Sequence, residues 1–377
     1  MSISPATRFV FALAVALLSA APVSARERET ASPLVWAQGP ERLEALVSVD
    51  PGVGSASPVS RPCYATPNDG TTVFTSTIDA QAVRDALAAV AANGTVKIAG
   101  YCSGVASQGG TIQTALITQT ITLAGGYTTT DWTTYNPAGN PTTLDALAGG
   151  RVISAPVAAT LRGFTVTGGY ISSTLSLNGG GINAAGALTL SEMIVSGNTI
   201  TGAASTLNGG GAYIGGPASV ANTTFSNNAA KRSGGGLYAA TTLALTDTQF
   251  LTNSLDLTTN SAGGGATVRG ALTVVGGLFQ GNRAGGQGGG LVASASFVVT
   301  GTRFVGNVGA NGGGLLAQAL GTVTNAEFIS NTGTSSGGGL QTSSALTLTN
   351  ATIRGKVPPL AAVSMPVVRR ISRSWGG

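Results

Sequence analysis

Seven Gly-Gly-Gly triplets, starting at Gly179, Gly209, Gly234, Gly263, Gly288, Gly312 and Gly337, recur through the second half of the chain. Six are followed at a fixed offset of 19 residues by an asparagine: Asn198, Asn228, Asn253, Asn282, Asn307 and Asn331. Three residues before each asparagine stands an apolar side chain, first Val195 and then Phe225, Phe250, Phe279, Phe304 and Phe328. From each asparagine to the next triplet the spacing varies between 5 and 11 residues. One segment of constant length and one adjustable loop per unit is the mark of a solenoid whose coils stack in register.

Within the constant segment, the tenth and twelfth positions are apolar and separated by a polar or small residue, as in Leu188-Thr189-Leu190 and Leu272-Thr273-Val274. That is the period of a strand. A glycine triplet in every unit excludes helical repeats, because each glycine costs a helix about 1 kcal/mol relative to alanine. Three short strands per coil, separated by Gly- and Asn-bearing turns, make an all-β parallel β-helix of eight or more coils of 24–30 residues. Phe164 is expected in the phenylalanine column of the first such coil, with Gly149 and Gly150 where a triplet would fall. Like residues then form ladders about 4.8 Å apart. The phenylalanines become an internal aromatic spine. The asparagines bond along the stack and hold a left-handed corner.

The Gly-Gly-Gly-apolar mark with Phe-x-x-Asn resembles the repeat of the polymorphic outer membrane proteins, over about residues 179–353. The stretch from Cys63-Tyr64-Ala65-Thr66-Pro67 through Gly100-Tyr101-Cys102 and Gly125-Gly126-Tyr127 to Leu161–Gly169 resembles the N-terminal part of secreted β-helix proteins of filamentous phototrophic bacteria. The resemblance implies a right-handed, pectin-lyase-like parallel β-helix at the cell surface or secreted. In the chlamydial family such repeats form the passenger of an autotransporter with roles in adhesion. This chain departs from that pattern after Ile353. Lys356 stands where an asparagine belongs, and the basic stretch 357–377, with Pro358 and Pro359, continues no column. No membrane barrel is expected there, and a truncated or frameshifted reading frame would account for the ending.

Upstream, Arg8, the apolar run Phe9–Ala21 and the small-residue ending at Ala25 match a secretory signal over residues 1–25. Residues 26–62 read as an extended leader. Residues 63–147 read as a cap with the first coils, including an amphipathic helix over about 77–92 that covers the open end of the stack. Residues 148–356 are the repeats and 357–377 an irregular tail. After export, Cys63 and Cys102 read as a disulfide, with two buried thiols as the alternative. No transmembrane helix is expected in the mature chain. The expected location is extracellular or at the cell surface, with outer-membrane association open.

Only 33 of the 377 residues are charged and none is histidine. Catalytic triads and histidine metal sites are excluded. Once the signal and the basic tail are set aside, acids and bases nearly cancel, so nucleic acid is not an expected partner. No cofactor or metal is expected. Many β-helices act on acidic polysaccharides, with sites built from clustered carboxylates. Between Arg151 and Asn350 the acids are Glu192, Asp247, Asp256 and Glu327. Glu192 and Asp247 share the fourteenth column two coils apart, about 10 Å from each other. That is just beyond the range of roughly 6.5–9.5 Å for an inverting glycosidase. The column otherwise holds glycine and asparagine, the signature of a turn. Tyr213 and Tyr238 share the fifth column, either as an outward platform for sugar or as strand packing. The sequence therefore reads as a non-catalytic structural or adhesive module of the cell envelope, with glycans or proteins of host, neighbouring cell or matrix as partners. The alternative is a carbohydrate-active enzyme, or a glycan-binding module, using Glu192 and Asp247.

Overall fold

The computed structural model describes residues 61–172, 177–203, 207–257, 261–354 and the short strand 363–364. The expected signal, the leader up to residue 60 and most of the tail lie outside the described residues. The chain is a right-handed parallel β-helix of about ten coils. Each coil contributes one strand to each of three faces. The triplet face runs from Arg151–Ala155 through Ile182–Ala184 to Leu340–Thr342. A second face is built from four-residue strands such as Leu188–Ser191 and Leu272–Val275. The third carries the phenylalanines, in strands such as Thr224–Ser226 and Leu278–Gln280. The long strand Thr95–Ser103 belongs to the second face at its start and to the third at its end.

Backbone pairing fixes the columns. Phe225, Phe250, Phe279, Phe304 and Phe328 pair successively, are wholly buried, and stack with centroids 4.6–5.0 Å apart and rings within 11° of parallel. Isolated aromatic pairs favour offset or edge-to-face contacts. Here the strand spacing imposes the near-parallel stack. The same column continues backwards through Val195, Val166 and Leu144 to Cys102. The Cys63–Cys102 disulfide therefore closes the base of the spine.

The glycine triplet has two jobs. Its first residue takes positive φ in every repeat, for example 70° at Gly179 and 64° at Gly234. The third approaches the next coil so closely that a Cβ on Gly211 would lie 2.5 Å from the Gly236 carbonyl oxygen. Conformational freedom explains the first glycine and lack of space the last.

The capping helix spans Gln81–Ala89, shorter than the sequence pattern predicts. The Asp79 carboxylate accepts the Gln81 backbone N–H at 2.9 Å and so sets the start. Val90 is already extended, and Asn93, at φ 61°, turns the chain into the strand Thr95–Ser103. Ala82, Val83, Ala86 and Leu87 bury their side chains in the core of the first coils. Among the described residues no helix is long and apolar enough to cross a membrane.

Four expectations need correction. Phe164 does not enter the phenylalanine column; Val166 does, because Gly163 at φ 70° takes the corner that Glu192 takes one coil later. Phe164 fills the core two residues earlier, beside that corner. Second, the ladder asparagines are not in the left-handed conformation. Their predecessors are, with Asn227 and Thr252 both at φ 54°. Third, the variable loops start in order. Tyr170–Ser172, Thr199–Thr201, Ala229–Ala230 and Ser254–Leu255 form a small fourth sheet. Under it Ile171, Ile200, Leu207, Ala230, Leu255 and Ala284 make a separate apolar cluster. Finally, the tail does continue a column: Val363–Ser364 pairs in parallel with Leu340–Gln341.

Candidate functional site

The asparagine ladder is the most closely bonded polar feature of the stack. All six side chains are buried. Each Oδ1 of Asn228, Asn253, Asn282, Asn307 and Asn331 accepts both the backbone N–H and the Nδ2 of the preceding coil's asparagine, at 2.9–3.1 Å. Each Nδ2 also donates to a carbonyl oxygen of the spine column: Asn253 to Phe225 at 2.9 Å, Asn282 to Phe250 at 2.8 Å. An amide has two donors and two acceptor sites. In the middle of the ladder all four are used. Aspartate would lack the donors, so the ladder is specific for asparagine. Its chemistry is structural: every group that could touch a ligand is already occupied inside the protein.

At the bottom of the triplet column, Arg151 stands where the second glycine would be. It is buried, and donates from Nε to the Gly179 oxygen at 3.0 Å and from Nη2 to the Asn178 oxygen at 2.9 Å. Burial lowers its guanidinium pKa to about 10. It satisfies carbonyls on the edge of the first triplet coil.

Glu192 and Asp247 lie, with Asn222 between them, on successive turns at the corner between the second and third faces. All three have positive φ, 54°, 48° and 45°. Asn325 and Asn350, at 53° and 49°, and Gly276 and Gly301 hold the same corner elsewhere. The column is chosen for the left-handed conformation, which Asn, Asp and Gly tolerate best. Both carboxylates are exposed and on separate coils. Glu192 accepts a hydrogen bond from the Tyr135 hydroxyl at 3.2 Å. Burial, then Glu192, push that phenol up to about 12, so it stays protonated and donating. Among the described residues no three Asp, Glu or Cys side chains gather as metal ligands. Glu327 is engaged with Arg303 on the neighbouring coil at 2.8 Å.

A long concavity follows the second face from Thr120–Thr122 to Ala345–Thr347, a groove of about 1100 Å³. Its outward column reads Thr160, Thr189, Ser219, Ala244, Thr273, Val298, Thr322 and Thr347. No charged residue lines it. Inward, Leu188, Leu243, Leu272 and Leu346 floor it from the core. Tyr213 and Tyr238 lie on the triplet face with rings stacked at 5.4 Å and 5° from parallel. Each covers one face of the other.

A gathering of charge and aromatics lies ahead of the glycine-triplet repeats, under the loop 125–142, and sequence reasoning missed it. Lys97, Tyr127, Trp132, Tyr135 and Arg162 come together from three separate stretches. The one signal in the sequence is that three of the chain's ten Tyr and Trp fall within nine residues of this loop. No protein-family model, curated protein or solved structure matches the chain.

Proposed function

We propose that this chain is an exported, non-catalytic β-helix of the bacterial cell envelope, serving as a structural or adhesive module at the cell surface. The reading keeps the polymorphic outer membrane protein repeat as its family, on the strength of the triplet and Phe-x-x-Asn columns. The observation that carries it is the long groove of the second face. Enzymes that cleave acidic polysaccharides need converging carboxylates and bases. This groove offers hydroxyls, methyls and glycine over its whole length. A rigid, nearly uncharged rod held by internal ladders suits a surface spacer or contact module.

Fractionation of the producing cell tests the location: the protein is expected outside the inner membrane with residues 1–25 removed. Recovery of the intact chain in the cytoplasm overturns the reading. The catalytic alternative has its own test. Purified protein is expected to leave a panel of acidic and neutral polysaccharides undegraded. Depolymerisation that disappears in the double substitution Glu192→Gln, Asp247→Asn would replace the module with an enzyme.

A further inference from the structure

The pocket under the loop 125–142 is the place where this molecule departs most from its own pattern. It encloses about 430 Å³, room for a sugar ring. The turn Pro67–Asp69 forms one wall and Tyr127, Thr133 and Tyr135 another. Thr95, Lys97 and Arg162 complete it. Hydroxyls, an amide, a carboxylate and two cations thus face one small space, in a chain of which only 9% is charged.

The two cations are not equivalent. Lys97 is satisfied: Nζ pairs with Asp69 at 2.5 Å, donates to the Trp132 carbonyl at 2.6 Å, and lies 4.9 Å from the centre of the Tyr127 ring. Arg162 is not. Its guanidinium lies 4.6 Å from the Tyr135 ring centre and makes one long hydrogen bond, from Nη2 to the Tyr127 hydroxyl at 3.4 Å. Its Nε is buried and has no hydrogen-bond partner. Among the described residues it has no salt bridge. The acid within reach of its stacking partner, Glu192, accepts from Tyr135 instead. Buried donors are normally paired, and a guanidinium has five of them in a planar fork.

We propose that this pocket binds an acidic saccharide, with the oxyanion of the sugar on the Arg162 fork and its ring hydroxyls on Asp69, Thr133 and Asn68. A planar carboxylate matches the fork in bidentate fashion, which an ammonium could not reproduce. Stacking on Tyr135 holds the guanidinium plane in one orientation and reduces what is lost on binding. The proposal gives the adhesive reading a ligand class and a location ahead of the glycine-triplet coils, at the end of the second-face strands Thr95–Ser103 and Ala159–Arg162. It rests on that reading only for the source of the ligand outside the cell.

Calorimetric titration of the purified mature chain with tri-galacturonic acid, a sulfated disaccharide and maltotriose tests it. Saturable binding of an acidic sugar at least about tenfold tighter than maltotriose is expected, a difference one charge-assisted contact can supply. The carboxylated and sulfated arms identify the oxyanion. Arg162→Gln is expected to weaken binding by about tenfold or more, and Arg162→Lys to restore only part of it. If Arg162→Gln unfolds, Thr133→Val on the exposed rim removes one hydroxyl contact without touching the core, and is expected to weaken binding several-fold. Equal affinity for maltotriose, no binding of either acid, or unaltered binding by both a folded Arg162→Gln and Thr133→Val overturns the pocket. Cleavage of tri-galacturonic acid would overturn the non-catalytic function while leaving the pocket in place.

Discussion

The stack from Asn178 to Arg354 and the region from Arg61 to Leu177 are held together in opposite ways. In the stack, like rests on like: Asn on Asn, Phe on Phe, Gly against Gly. Each coil's partner is supplied by the next copy of the same pattern. In the N-terminal region unlike groups meet. Cys63 joins Cys102 across 39 residues, Lys97 meets Asp69 and Tyr127, Arg84 meets Asp79, and a helix covers the first coils. The difference follows from position. The first coils have no preceding coil to satisfy their backbone and core. A one-sided edge needs specific closure, and specific closure uses charges, rings and a covalent bond. The same irregularity leaves the Arg162 Nε buried without a partner.

If this contrast is right, polar damage inside the stack has the largest effect. Asn253→Leu removes the acceptor of the Asn228 backbone N–H and Nδ2 and takes the side-chain donor from the Phe225 carbonyl. At about 1–3 kcal/mol per orphaned buried donor, a loss of about 2–6 kcal/mol is expected in chemical denaturation. Asn253→Asp should not rescue it. A loss below about 1 kcal/mol would mean that water replaces the ladder.

Next comes the spine. Phe279→Ala is expected to cost about 3–5 kcal/mol, as for other buried aromatics. Phe164→Ala is a control within the comparison: it also empties core, yet should leave the stacking signature of the five phenylalanines in near-ultraviolet circular dichroism unchanged. If Phe279→Ala leaves both stability and that signature intact, the ring column contributes nothing.

The disulfide sharpens the boundary. Cys63→Ser with Cys102→Ser is expected to cost about 2–4 kcal/mol on the chain-entropy view. The loss should appear as early hydrogen exchange in Cys63–Ala124, with the protection of Leu237–Phe328 retained. Equal loss along the whole chain would mean that the two regions unfold as one unit.

The smallest effect concerns Asp79. Burial raises its carboxyl pKa, but the Gln81 N–H, the Ser76 hydroxyl and Arg84 together hold it below its ordinary value. A depressed carboxylate contributes stability that is present above the ordinary pKa near 4 and lost as pH falls through the folded value. Asp79→Asn should therefore flatten the acid limb of stability below about pH 4, by less than about 1 kcal/mol given its exposure.

Much of the stack could be read from spacing alone. A constant 19-residue offset from Gly to Asn allows only one way of laying coil on coil, and it places Phe225 to Phe328 in one buried column. Where the repeat weakens, so does the reading. Phe164 looks like a spine residue, but the turn at Gly163 shifts it by two positions, and only strand pairing reveals that Val166 takes its place. The left-handed corners fall one residue before the position the spacing suggests, because the side chain that bonds along the ladder and the backbone that turns belong to neighbours, Asn253 and Thr252.

By itself the sequence determined the coil, since a ladder needs the same residue at the same offset in every copy, and periodicity is visible in one dimension. Only the tertiary structure decided what surrounds Arg162. Its neighbours Asn68, Lys97, Tyr135 and Glu192 are drawn from positions up to 94 residues away with no repeat to announce them. Contacts between unlike groups leave no period behind, so three-dimensional packing alone can bring them onto one wall.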